Sequence, residues 1–229
     1  MDETIWASAD RYFAQNLLPD DQIFPQILAA NAAAGLPSID VSPLQGRMLY
    51  LQAKLIGARR ILEIGTLGGY STIWFARALP ADGRIVTLEL ESKHAETARR
   101  NFVTAGVAEK IEVRVGPAQT SLEALLREKS APFDLVFIDA DKASTAAYFR
   151  AALELCHSGS VIITDNVVRK GQIVDASSTD ASVQGMRRFV DALAAEKRVE
   201  ATAVQTVGAK GYDGFIIARV LQPGEAPGI

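Results

Sequence analysis

Leu135-Val136-Phe137-Ile138-Asp139-Ala140-Asp141-Lys142 and, one helix-sized interval later, Ser160-Val161-Ile162-Ile163-Thr164-Asp165-Asn166 decide how this chain folds. Each opens on an unbroken apolar run, and no turn signal separates the two before His157-Ser158-Gly159. Such runs read as parallel strands joined by a crossover helix. Strands of that kind bring their carboxyl ends out along one edge, where open α/β sheets take their ligands. Asp139, Asp165 and Asn166 stand at that edge, and three oxygen donors suit a hard divalent cation, Mg²⁺ first, with Mn²⁺ or Ca²⁺ as substitutes. Asp and Asn also cap helices well, so capping is the other reading of each pair. A polar set at both strand ends favours the ligand.

Working outward, the α/β alternation extends toward the N-terminus. Residues 60–65 read as a first strand with a helix over 71–79, residues 84–90 as a second with a helix over 92–105, and residues 111–116 as a third with a helix near 121–128. In front of these, residues 4–18 form an amphipathic helix that Pro19 stops, and a second helix over 22–34 ends at Gly35. Residues 1–40 are therefore a helical cover, which either shields the body or contributes to a substrate mouth or a subunit interface. Ile39-Asp40-Val41-Ser42-Pro43 is an extended link, with Ser42 placed to cap a helix and Pro43 in its first turn. That helix carries Leu44, Met48, Leu51 and Leu55, and Gly57 closes it.

Toward the C-terminus a polar loop spans 170–181, a helix covers 183–195, and strands at 199–207 and 214–220 flank Gly208-Ala209-Lys210-Gly211-Tyr212-Asp213. The short glycine-containing link predicts a hairpin, so the last strand is antiparallel to its neighbour and the sheet is mixed. The tail, 222–229, adds no element. No repeat or internal boundary divides residues 1–229, which read as one α/β domain.

Composition narrows the function. An apolar content of 48% with 22% charged residues is that of a soluble globular protein. A net charge of -3 with scattered Lys and Arg gives no footprint for nucleic acid. Cys156 is the only cysteine; near the end of the crossover helix it reads as a core thiol, and without a disulfide it fits a reducing cytoplasm. No run of eighteen apolar residues exists, and Met1-Asp2-Glu3 opens no signal sequence, so neither membrane nor secretion is expected.

Glu63-Ile64-Gly65-Thr66-Leu67-Gly68-Gly69-Tyr70-Ser71 joins the first strand to its helix. Glycines there let the backbone turn sharply and approach a ligand, and the helix start offers N–H groups to an anion. Glu89 ends the next strand, where a carboxylate can accept both hydroxyls of a ribose. The spacing Gly-x-x-Gly-Gly lacks the central glycine that admits a pyrophosphate, and Glu63 disfavours phosphate but tolerates a cation. An adenosine carrying a short charged group fits best. A nucleotide-dependent oxidoreductase is a weaker fit without a hydride-transfer set, and a non-enzymatic dimeric scaffold remains the alternative from outside catalysis.

With Leu62-Glu63-Ile64-Gly65, Glu89, Gly116 to Gln119, the Asp139-Ala140-Asp141-Lys142 stretch and Thr164-Asp165-Asn166 in view, the chain resembles the cation-dependent class I O-methyltransferases. That family includes catechol O-methyltransferase and the caffeoyl-CoA O-methyltransferases. The resemblance implies a Rossmann-like seven-stranded sheet of order 3-2-1-4-5-7-6 with strand 7 antiparallel, S-adenosylmethionine as cofactor, Mg²⁺ or a similar cation, and a homodimer. It implies Asp139, Asp165 and Asn166 as metal ligands and Lys142 as catalytic base. Glu63, Gly65 and Ser71 then contact the methionine portion of the cofactor and Glu89 the ribose. Ala118 and Gln119 border the adenine, Asp141 the amino acid end, and Val41 and Asp139 also border the cofactor. The implied reaction is methyl transfer to a hydroxyl of a vicinal aromatic diol of catechol, hydroxycinnamoyl or flavonoid type. Lys210-Gly211-Tyr212-Asp213-Gly214 and the loop 170–181 depart from the plant pattern. The candidate phosphate-binding cations Arg11, Lys170, Arg187 and Arg188 form no cluster in sequence, although folding can bring some together, so broad use of small diols is expected first and a CoA thioester stays open as the other substrate class.

Overall fold

The apolar runs become strands in the computed structural model, which describes residues 3–226 and 228. Met1 and Asp2, and positions 227 and 229 of the expected tail, lie outside the described residues. Five strands run parallel: β1 (Arg60–Ile64), β2 (Arg84–Glu89), β3 (Ile111–Val115), β4 (Phe133–Ile138) and β5 (Cys156–Asp165). β6 (Val199–Gly208) and β7 (Gly211–Val220) form the hairpin, with β7 antiparallel to both β5 and β6. The sheet order is β3-β2-β1-β4-β5-β7-β6, as the resemblance implies.

Alternate strand residues feed two cores, because successive side chains leave opposite faces. Ile61, Ile85, Phe137 and Ile163 pack with α2 (Ile23–Ala33), α3 (Pro43–Leu55), α4 (Tyr70–Ala78) and α5 (Ser92–Thr104). Leu62, Val86, Val136, Ile138 and Ile162 pack on the other face with α6 (Ala118–Arg127), α7 (Thr145–Glu154) and α8 (Ala181–Ala195). α1 (Glu3–Leu17) lies along β6 and α3, while α2 reaches α4 and α5. The expected cap is present: Ser42 Oγ accepts from Gln45 N at 3.2 Å, with Pro43 opening α3.

Four expectations are corrected. α6 starts at Ala118, not 121, since Pro117 takes the capping place and Ala118-Gln119-Thr120 carry no apolar period to announce a helix. β5 starts at Cys156, which therefore leaves the crossover helix: Cys156 pairs with Phe133 across a register shift, and Gly159 takes a φ of 88°. In the hairpin Gly208 pairs with Gly211, so only Ala209 and Lys210 turn, while Tyr212 and Asp213 are ladder residues. The loop after β5 contains a 3-10 turn over Arg169–Val174.

Candidate active site

A cavity of about 730 Å³ opens at the carboxyl ends of the parallel strands. Val41, Gly65, Ser71, Glu89, Ala118, Gln119, Asp139, Asp141, Lys142 and Asn166, ten of the expected site residues, share its wall. Glu63 and Asp165 stand behind that wall, 0% and 4% exposed.

The glycine turn is built around two carboxylates. Glu89 Oε2 accepts from the N–H groups of Thr66 and Leu67 at 3.2 and 2.7 Å, and Oε1 accepts from Glu91 N at 2.9 Å. Glu63 accepts from the hydroxyls of Ser71 at 2.6 Å, of Thr87 at 2.7 Å and of Thr72. Burial, reinforced by the charge of Asp139, pushes its carboxyl up to about 7 against those three donors. Glu63 therefore fixes Ser71, and Ser71 is the member of the pair on the cavity surface. Gly65 shows why glycine is required here: φ is 102°, and a Cβ would stand 2.1 Å from the carbonyl oxygen of Asp139.

On the neighbouring strand ends, Lys142 Nζ donates to Asp139 Oδ1 at 2.7 Å, and the lysine is only 9% exposed. α8 meets this turn at Gly185, where a Cβ would lie 2.1 Å from the Lys142 carbonyl oxygen. Asp165 accepts from Gln45 Nε2 at 2.6 Å and from Asn166 N at 2.8 Å. Burial first, then the charge of Asp139, pushes its carboxyl well above the usual carboxylate range. Asn166 takes a left-handed φ of 56°. Among the described residues no three His, Cys, Asp or Glu side chains form a metal-holding group; the expected cation set is two carboxylates, Asp139 and Asp165, and the Asn166 amide. Asp141 accepts from Ser144 N at 3.0 Å and from the Tyr148 hydroxyl. Burial and that bond push Tyr148 up to about 12.

Sequence reasoning missed several participants. Asn31 of α2, 2% exposed, donates to Asp40 at 3.0 Å and accepts from Asn101, which also donates to the Gly68 carbonyl at 2.8 Å. The cover is thereby tied into the glycine turn. Asp40, Tyr70, Tyr148 and Arg169 also line the cavity. Gln45 had a signal, three residues past the Ser42 cap, but its reach to Asp165 crosses 120 positions of sequence. Cys156 is no competitor for a nucleophile, since burial pushes its thiol up to about 12.

The O-methyltransferase family model matches residues 16–220. A catechol O-methyltransferase of Niastella koreensis is 46% identical over 220 residues, covering 96% of this chain and 100% of that protein. An O-methyltransferase of Bacillus cereus, solved in complex with S-adenosylhomocysteine (SAH), has a TM-score of 0.94 at 54% identity, covering 96% of this chain and 100% of that one. TomG of Streptomyces achromogenes, an O-methyltransferase of tomaymycin synthesis solved with S-adenosylmethionine, has a TM-score of 0.93 at 48% identity, covering 97% and 100%.

Proposed function

This chain belongs to the O-methyltransferase family, and we propose that it moves a methyl group from S-adenosylmethionine to one hydroxyl of a vicinal aromatic diol with the help of a divalent cation, Mg²⁺ first. One observation carries the reading: the Asp139–Lys142 pair, 2.7 Å apart, and Asn166 line the same cavity as Gly65, Ser71 and Glu89. A reacting group at the first set and an adenosine at the second would meet within one space.

The cofactor's sulfonium and ammonium are cations, and Asp40, Asp139 and Asp141 bring carboxyl groups to the cavity wall. The sulfur–methyl bond breaks as the oxygen–methyl bond forms, leaving the methyl ether and SAH. Before that, a phenolic hydroxyl with a pKa of about 10 must be deprotonated near pH 7, which costs roughly 4 kcal/mol. Lys142, whose Nζ lies 2.7 Å from Asp139, is the side chain placed to take that proton; Gln45 holds the Asp165 carboxylate in place. The donor set fits a hard dication, because two carboxylates, with the charge of Asp139 close enough to raise Asp165, and one amide oxygen supply only oxygen. A cation held by Asp139, Asp165 and Asn166 would supply electrostatic stabilisation of the phenolate.

The basic residues favour small diols over CoA thioesters. Arg187 donates to the Ile173 carbonyl, Arg188 to the Ala143 carbonyl and Arg11 to Ser8, so these cations are dispersed rather than gathered for a phosphate group. The reading treats residues 1–229 as one methyltransferase domain with 1–40 as its cover. It also includes a cytoplasmic homodimer, for which Tyr12, Phe13 and Leu17 of α1, all exposed, offer apolar surface. No helix among the described residues is long and apolar enough to cross a membrane.

The test is methyl transfer to a catechol panel. Exhaustive chelation, or Asp139→Ala, should lower the rate by at least about a thousandfold, the loss expected when a developing oxyanion is left unstabilised. Full activity under either condition rejects the cation-assisted reading.

A further inference from the structure

Arg169 follows β5 at the Asn166 end of the cavity and lines its wall. Its Nε is buried and has no hydrogen-bond partner. The backbone that presents it is strained, with φ of 54° at Arg169 and 55° at Lys170, followed by 86° at Gly171. Non-glycine residues adopt that region at a cost, and such strain gathers where a side chain must be aimed. Asp213 Oδ1 holds the bend by accepting from the N–H groups of Val168, Arg169 and Gly214, each at 3.0 Å. Asp180 feels the charge of Arg169, but its carboxylate accepts from Ser182 N and Val183 N as the cap of α8.

An arginine that lines a cavity and leaves a buried Nε–H without an acceptor has the chemistry of a carboxylate receptor. Two carboxylates could arrive: one on the acceptor, one on the cofactor's amino acid end. Apart from Val41, the residues expected at the cofactor come from β1 to β4 and the turns and helix starts that follow them, whereas Arg169 follows β5 beyond Asn166 and is tied to Asp213 of β7, the neighbour of β5. We propose that Arg169 is a specificity-determining residue that binds a carboxylate carried by the acceptor, so that the preferred substrates are aromatic diols bearing an acidic side group. The proposal rests on the diol reading above and narrows its substrate class.

The experiment measures kcat/KM of the full chain, with S-adenosylmethionine and Mg²⁺, for protocatechuate and for its uncharged amide. The wild-type protein should prefer the carboxylate by at least about tenfold, mainly through KM, as a charge-assisted pair implies. Arg169→Gln should bring the ratio to within about twofold of unity and Arg169→Lys should leave it between the two. Because both acceptors are measured on the same preparation, loss of folded protein cancels in the ratio. Equal use of the two acceptors by the wild type, or an unchanged ratio in Arg169→Gln, overturns the assignment. So does a calorimetric titration in which Arg169→Gln loses SAH affinity with the acceptor ratio intact, since the cofactor would then own the contact. If the wild type methylates neither diol, the diol reading itself falls, and this inference falls with it.

Discussion

Glu89, at one end of the cavity, has both carboxylate oxygens engaged by backbone N–H groups, whereas at the other end Arg169 keeps a buried Nε without an acceptor. The first end is closely packed around its glycines: Gly68 and Gly69 approach Asn31 and Phe102 so tightly that a Cβ would lie 2.0 and 2.3 Å from them. The second end bends through left-handed residues at Asn166, Arg169 and Lys170. The difference suits a shared cofactor at a finished site and an acceptor at a site whose polar atoms are still open to partners.

Paired glycine substitutions should separate the two ends most widely. Gly65→Ala adds a Cβ 2.1 Å from the Asp139 carbonyl at a φ of 102°, and we expect a loss of about 3 kcal/mol, or a melting temperature lower by about 6–12 °C. Gly171→Ala meets nothing nearer than the Tyr212 ring edge at 3.5 Å, so only the left-handed backbone counts and about 1 kcal/mol is expected. Equal losses would erase the contrast in packing.

A smaller effect should mark the finished end. Glu89→Ala removes the expected ribose acceptor together with the anchor of Thr66 and Leu67, so SAH affinity should fall by about tenfold to a hundredfold, or roughly 1.4–2.8 kcal/mol. Calorimetric titration reads it directly, and undiminished affinity would mean that the turn holds its shape and the ligand without this carboxylate.

The smallest effect lies at the opposite edge of the sheet and serves as a control. The hydrogen bond that His157 donates to Asp134, with help from the Ser158 carbonyl, holds His157 above its usual range. A histidine raised in the folded state contributes stability that is complete below its unfolded value near 6.5 and is lost as pH rises through the folded value. The side chain is 43% exposed, so solvent screening keeps the term below about 1 kcal/mol. Between about pH 6 and 8 the wild-type melting temperature should drop slightly more than that of His157→Gln. Identical slopes would show the pair to be energetically idle, and a change in the kcat profile would show that this edge is coupled to the site.

Legibility in the sequence follows the same division. β4 and β5 announced themselves because burial on both faces demands unbroken apolar runs, and their polar ends then placed Asp139 and Asn166 on the cavity and Asp165 just behind it. The hairpin's existence was legible, but its length was not, since Tyr212 and Asp213 resemble turn residues and only pairing opposite Val207 and Thr206 makes them strand. Asn31 gave no signal at all. A buried amide on a helix of the cover has no periodicity of its own, and its partners Asp40 and Asn101 lie 9 and 70 positions away. Arg169 was passed over for a related reason: its aim comes from φ angles and from Asp213, 44 positions on.

Gly185 has a consequence for anyone who would engineer this protein for heat resistance. A glycine inside a helix is an ordinary target, since alanine there gains about 0.5–1 kcal/mol from backbone entropy. In α8 the added methyl would collide with the Lys142 carbonyl at 2.1 Å and with Ala143 Cα at 2.6 Å. Relief of that collision would shift the turn that aims Lys142 Nζ at Asp139. A screen that ranks variants by residual fold after heating could select compensating movements of α8 and leave a hardened protein with Lys142 displaced from the cavity wall, so turnover has to be scored at this position alongside survival.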